Sequence, residues 1–166
     1  MTVASKTSSA ATPAVRVLNL AGIDYSLRSF DHDPATRRYG SEAADKLGVS
    51  SDQVFKTLMI QVDGQPVTAL VPVSGQLDLK ALASARGAKK AQLSGVAETE
   101  RRTGYPVGGV SPFGQRHAVP VVVDRTALDH STVFVSAGRR GLEIEIHPED
   151  LVMLTNAQVA KIAALD

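Results

Sequence analysis

The chain has 166 residues, the length of one ordinary domain, and 43% of them are hydrophobic, enough for one core. It contains no cysteine, which excludes disulfides, thiolate zinc sites, iron–sulfur clusters and a cysteine nucleophile. A formal net charge of +1 says little about partners, and no apolar run reaches the roughly 18 residues that a membrane span needs.

Residues 1–12 are rich in Ser, Thr and Ala, carry one charge at Lys6 and lack the apolar stretch of a secretory signal. They are expected to form a disordered tail, with residues 13–166 as a single domain. Thr12 as N-cap and Pro13 in the first turn predict a helix. Val15, Leu18 and Ala21 keep its period, and Gly22 ends it. Ile23, Tyr25 and Leu27 then alternate with polar residues, as in a strand, until Asp31-His32-Asp33-Pro34 breaks the pattern. A short helix is expected over 42–47, stopping at Gly48, and Ser50 with Gln53 has the spacing of a capping box.

A strand over 54–62 places Val54, Lys56, Leu58, Ile60 and Val62 on one face. Asp63-Gly64 is a hairpin turn, and Val67, Ala69, Val71 and Val73 mark the return strand. Asp78 caps a helix over 79–86 that closes at Gly87, and a second helix over 94–103 closes at Gly104. Strands are expected at 119–123, 132–135 and 142–146, followed by a helical region from Pro148 to Ala164. Hairpins mixed with short helices, without regular βαβ alternation, indicate a mixed or antiparallel α/β fold.

Lys56 is the first candidate for chemistry. An ammonium in an otherwise apolar strand face needs a partner, a cleft or a route to water at a sheet rim. The segment 104–114 is the second: its four glycines and two prolines bar a helix or central strand. Paired glycines can bring backbone N–H groups close to a ligand oxygen, although an ordinary turn-rich crossover has the same composition. The segment is neither a Walker loop nor a G-x-G-x-x-G fingerprint. A third candidate is the turn between two strands at 135–146, where Arg139 and Arg140 could hold phosphates or merely form a charged hairpin tip. Leu142, Ile144 and Ile146 should face the core, with Glu143 and Glu145 on the opposite face.

From Arg86 to Arg140 there are nine Lys and Arg against four Asp and Glu, a balance of +5, so the remainder sums to −4. This suits a phosphate-rich ligand and equally a solvated surface. His32, His117, His130 and His147 lack metal-ligand spacing, and there is no H-E-x-x-H or G-x-S-x-G motif. An enzyme built on this sequence would lack a conventional nucleophile.

Five segments together resemble the YbaK/EbsC editing proteins. They are Val54-Phe55-Lys56-Thr57-Leu58, then 73–80, then Gly87-Ala88-Lys89-Lys90, then Thr103-Gly104-Tyr105 with 108–112, and Val135-Ser136 with Gly138 and Arg140-Gly141-Leu142. The resemblance runs from about Pro13 to the C-terminal region, in order and without large gaps. It implies an α/β (α+β) fold with a mixed, largely antiparallel sheet or barrel-like core and surrounding short helices. This is the fold of the editing domain inserted into bacterial prolyl-tRNA synthetases.

The function so implied is hydrolysis of Cys-tRNA(Pro), with Cys-tRNA(Cys) as a second substrate, in the cytoplasm beside prolyl-tRNA synthetase. No metal or organic cofactor is expected. By position, Lys56 would sit near the terminal adenosine and its phosphate, with Thr57 in the same pocket. Gly108 and Gly109 would supply backbone contacts to the aminoacyl end, Ser136 would line the pocket and Glu143 would be its acidic member. Ser111, Arg139 and Arg140 would join substrate binding. Phe30 and Glu143 depart from the family pattern, which carries Tyr and Asp there, so any role of that tyrosine hydroxyl is missing or reassigned.

The mechanism implied by the resemblance fits the absent nucleophile. The substrate's thiol would attack its own ester and leave as a thiolactone, while the protein positions the ester and stabilises charge on oxygen. Water attack is the alternative. Specificity for another mischarged tRNA, such as Ala-tRNA(Pro), and an inactive tRNA- or nucleotide-binding module are the competing readings.

Overall fold

In a computed structural model the described residues are 11–165, so the tail expected at the N-terminus lies almost wholly outside them. The first described element is α1 (Pro13–Ala21), which the Thr12 hydroxyl caps by accepting from the Val15 N–H at 3.2 Å. The same hydroxyl donates to the Ala137 carbonyl, tying the helix start to a strand 125 residues away in sequence. Ala14, Val15 and Leu18 are buried, and Gly22 ends the helix at φ 67°.

Strand β1 (Tyr25–Ser29) and helix α2 (Tyr39–Leu47) come next, α2 starting a turn earlier than the spacing predicts. The hairpin of β2 (Phe55–Val62) and β3 (Gln65–Pro72) turns at Asp63 and Gly64, whose φ values of 47° and 80° are those of a type I′ turn. After β4 (Gly75–Leu77), Asp78 caps α3 (Leu79–Ala85) by accepting from the Ala81 N–H. Then follow β5 (Ala91–Leu93), α4 (Val96–Thr103), β6 (Val121–Asp124), a 3-10 turn, β7 (Val133–Arg139), β8 (Leu142–Ile146) and α5 (Pro148–Thr155).

Two short strands, β9 (Gln158–Ala160) and β10 (Ala163–Leu165), replace the end of the helix expected to reach Ala164. Asn156 stops α5 in the left-handed region at φ 51°. The buried Asp124 carboxylate then accepts from the Ile162 and Ala163 N–H groups at 2.8 and 2.9 Å, and Ile162 is fully buried. Burial of Ile162 and pairing with the open edges of β6 and β4 outweigh a weak helical pattern.

Among the described residues the strands form three sheets: β5-β2-β3-β6-β9, β1-β8-β7 and β10-β4. The large sheet is mixed, since β5-β2-β3 is antiparallel whereas β6 and β9 add in parallel. The expected barrel-like closure is not formed. The edge strands β5 and β9 have three residues each, too few for a ladder that would close the sheet. A single bridge between Val54 and Phe134 instead stitches the β2 side to β7. One core cluster packs α1 and α5 against β1, β7 and β8, and a second packs α3 against the large sheet. The first half of β2 lies where these sheets diverge, and there the chain leaves a hollow.

Candidate functional site

That hollow is a cavity of about 570 Å³. Its walls come from the start of β2, the start of α2, the turn from β5 into α4, the loop at 107–110 and the paired strands β7 and β8. Lys56, Thr57, Gly108, Ser136 and Glu143 all line it. The apolar face expected of β2 therefore divides: Ile60 and Val62 enter the core, whereas Lys56 and Leu58 are half-buried on the cavity wall.

Glu143 lies opposite Ser136 in the β7–β8 register. It points away from Leu142 and Ile144, as strand alternation requires, but that face is also covered and Glu143 is only 7% exposed. Burial pushes its carboxyl up to about 8, so at neutral pH it is mostly protonated and can donate a hydrogen bond as well as accept one. Glu145, two residues on, pairs with Arg28 and accepts from the Thr132 hydroxyl, so the two glutamates have different environments.

Thr57 contributes a buried hydroxyl oxygen that has no hydrogen-bond partner among the described residues. A buried polar atom left without a partner on a cavity wall is suited to a ligand that supplies one. The Ser136 hydroxyl accepts from the Gly138 N–H at 3.1 Å, which holds it in place beside a bulge in β7.

Gly108 has φ 88°, and a Cβ there would stand 2.6 Å from the Tyr39 ring. The loop can lie against that ring only because residue 108 has no side chain. Arg140 lies over the same ring at 4.6 Å and donates from Nε and Nη2 to the Val107 carbonyl at 2.9 and 2.6 Å. Its guanidinium thus braces the glycine loop.

The other sequence candidates lie off the cavity wall. The Gly109 N–H donates to the Pro106 carbonyl at 2.8 Å, and a Cβ on Gly109 would meet the Arg139 backbone, so its missing side chain serves packing. Ser111 is fully buried, with its hydroxyl accepting from the Phe113 N–H. Phe30 packs against the cluster of Val54, Phe134, Ala43 and Ala44. Arg139 is exposed at the hairpin tip.

Sequence reasoning missed Arg37, Arg38 and Tyr39, which line the mouth where α2 begins, and Leu93, Ser94 and Val96 on the opposite lip. An Arg-Arg-Tyr run just ahead of a helix was the available signal for the first group. Leu93 and Val96, each 61% exposed, had none, because an exposed apolar residue is marked only by the fold. His32 is half-buried with Nδ1 at 2.7 Å from Glu42, where it serves as a structural partner. Among the described residues no group of His, Asp and Glu is arranged to hold a metal ion, and no helix is long and apolar enough to cross a membrane.

The profile of the aminoacyl-tRNA editing domain matches residues 33–154, a span that includes every residue of the converged set. The chain belongs to that family. This editing domain is 36% identical over 164 residues to EbsC of Enterococcus faecalis, provisionally named a Cys-tRNA(Pro)/Cys-tRNA(Cys) deacylase, covering 96% of this chain and 97% of that protein. It is 31% identical over 124 residues to a proline–tRNA ligase of Nitratidesulfovibrio vulgaris, covering 75% of this chain and 21% of the ligase. A solved structure described as a provisional trans-editing enzyme for prolyl-tRNA synthetase superposes with a TM-score of 0.82 at 26% identity, covering 95% of this chain and 99% of the other. The mixed α/β fold is thus the fold of editing domains, as the sequence motifs imply.

Proposed function

We propose that this editing domain is a deacylase that clears Cys-tRNA(Pro), and with it Cys-tRNA(Cys), in the cytoplasm beside prolyl-tRNA synthetase. One observation carries the reading: Lys56, Thr57, Gly108, Ser136 and Glu143 converge on one cavity in a chain without cysteine or a serine–histidine motif. At about 570 Å³ the cavity is within the size range of small-molecule sites and can hold an aminoacyl group with its terminal nucleoside.

In this reading the substrate supplies the nucleophile. Its sulfur bonds to the ester carbonyl carbon, the bond from that carbon to the ribose oxygen breaks, and the thiol proton ends on the ribose oxygen. A cysteine thiolactone leaves, and water opens it later. Lys56 offers positive charge to the phosphate and ribose end. The Gly108 loop presents backbone to the ester, and Thr57 offers the hydroxyl that lacks a protein partner. A carboxyl near 8 is close to the thiol's value of about 8.5, so the minor ionised fraction of Glu143 can take up the thiol proton and the acid so formed can return it to the ribose oxygen.

The test is a deacylation screen with Cys-, Ala-, Ser- and Pro-tRNA(Pro). Preferential release of cysteine supports the proposal. Preferential release of alanine would assign a different pocket specificity, and tight tRNA binding with no deacylation would make the protein a binding module.

A further inference from the structure

A second hollow, of about 610 Å³, adjoins the first. Asp63 and Gly64 of the β2–β3 turn, Leu79, Lys80 and Ala83 of α3 and the segment 89–92 line it. The two share a wall. Gln61, on the wall of the second hollow, donates from Nε2 to the Ser94 hydroxyl, on the wall of the first, at 3.2 Å. Along β5 the change is immediate, because Gln92 lines the second hollow and Leu93 the first.

The second hollow is basic. Lys80, Lys89 and Lys90 line it and are exposed, and none of their ammonium groups forms an ion pair with the other described residues. Asp63 is the one acidic residue on its wall, and its carboxylate is engaged with backbone, accepting from the Lys89 N–H at 3.1 Å and the Lys90 N–H at 2.9 Å. Those bonds set the backbone that carries the two adjacent lysines while leaving their side chains to solvent.

Several other cations of the basic half are engaged elsewhere. Arg101 and Arg102 pair with Glu98, Arg86 bonds to Gln158 and Arg140 braces Val107. The positive balance counted over 86–140 is therefore not one patch, whereas the lysine hollow, which takes Lys80 from outside that window, is.

We propose that the hollow lined by Lys80, Lys89 and Lys90 is the seat of the nucleic-acid backbone phosphates that lead into the cavity holding the charged 3′ end. The proposal rests on the deacylase reading for its ligand. Lys90 and Ser94 are four residues apart, about 13 Å of extended chain, so phosphates seated at the lysines lie a short way upstream of the terminal nucleoside. Contacts of this kind position the strand without reading its sequence.

The full-length Lys89→Ala/Lys90→Ala variant tests it by two readouts. The first is equilibrium binding of uncharged tRNA(Pro) across a salt series. Affinity should fall about tenfold, and the slope of log K against log salt should shrink by about two, one for each phosphate that a lysine no longer neutralises. The Lys89→Arg/Lys90→Arg variant should keep both. If the double alanine variant is misfolded by circular dichroism, each single alanine variant should reduce the slope by about one. Unchanged affinity and slope in these variants would overturn the proposal.

The second readout is hydrolysis of a 3′-cysteinyl adenosine ester, which lacks upstream phosphates. Its rate should be the same in the alanine variant and the parent protein, and a loss of this activity in the alanine variant would overturn the proposal. Failure of the parent protein to cleave this ester would count against the deacylase reading, while the salt slope would still decide the phosphate seat.

Discussion

Ser136 stands directly across from Glu143 in the β7–β8 pair, just ahead of the bulge that Gly138 makes at φ 112°. One small hydroxyl and one buried carboxyl therefore share a stretch of cavity wall, which a straight two-stranded ladder would place without the added bend. Their pairing joins the most perturbed acid among the described residues to a hydroxyl that the Gly138 N–H holds in place.

Glu143 should make stability depend on pH. Its carboxyl is held up at about 8 by burial, against 4.5 when exposed, so between those values the folded state keeps a proton that the unfolded state has lost. Stability should then fall as pH rises from about 4.5 to 8, level off above, and bear no such penalty below the lower value. Each unit of that difference corresponds to about 1.4 kcal/mol. Glu143→Gln should be more stable than the parent at pH 8 by on the order of a few kcal/mol and nearly equal to it at pH 4, while losing activity. Thermal melts of both proteins across pH check this. A difference between them that does not grow with pH would contradict it.

Lys56→Met should retain the fold, since the side chain is half-buried on the cavity wall and methionine preserves its aliphatic stem. Deacylation should fall on the order of a hundredfold, the scale for loss of one charge-stabilising group. Circular dichroism and single-turnover rates measure the two effects separately. A folded variant with parental turnover would remove Lys56 from the site.

Gly108→Ala should combine a backbone penalty with a steric one. A side chain at φ 88° costs about 1–2 kcal/mol, and the new Cβ would also displace the Tyr39 ring at 2.6 Å. Activity should drop because that ring lines the cavity mouth. Gly22→Ala is the control: its φ of 67° is similarly left-handed, but nothing lies within 4 Å of the added Cβ. It should lose similar backbone stability with activity unchanged. Equal kinetic effects of the two substitutions would separate the Gly108 loop from the chemistry.

Substrate-assisted cleavage should discriminate sulfur from oxygen. Cys-tRNA(Pro) should react far faster than Ser-tRNA(Pro), because a thiol ionises near 8.5 whereas an alkyl hydroxyl scarcely ionises at neutral pH. Alkylating the substrate thiol should stop the reaction, and mass analysis should detect the thiolactone before free cysteine. Release of free cysteine with no thiolactone preceding it would instead point to an activated water.

Much of the local structure was legible in the residues alone. Thr12 with Pro13 opens α1, Asp78 opens α3, and Asp63-Gly64 turns the β2–β3 hairpin, because caps and tight turns depend on neighbours in the chain. Lys56 in an apolar strand was legible as an oddity for the same reason. What neighbours could not decide was where sheets diverge. The C-terminal segment became two strands because β6 and β4 had open edges and Asp124 had two lone pairs to satisfy, partners that lie about 40 to 90 residues back in the chain. Glu143 alternates with Leu142 and Ile144 as any solvent-facing residue would, and only the walls packed over that face make it a buried acid. Phe30 and Ser111 carry motif positions yet lie off the cavity, while Tyr39 and Leu93 line it without a motif. Sequence determined the short-range hydrogen bonds and the period of each element. The tertiary structure decided which faces are covered, because burial is a property of the distant segments that do the covering.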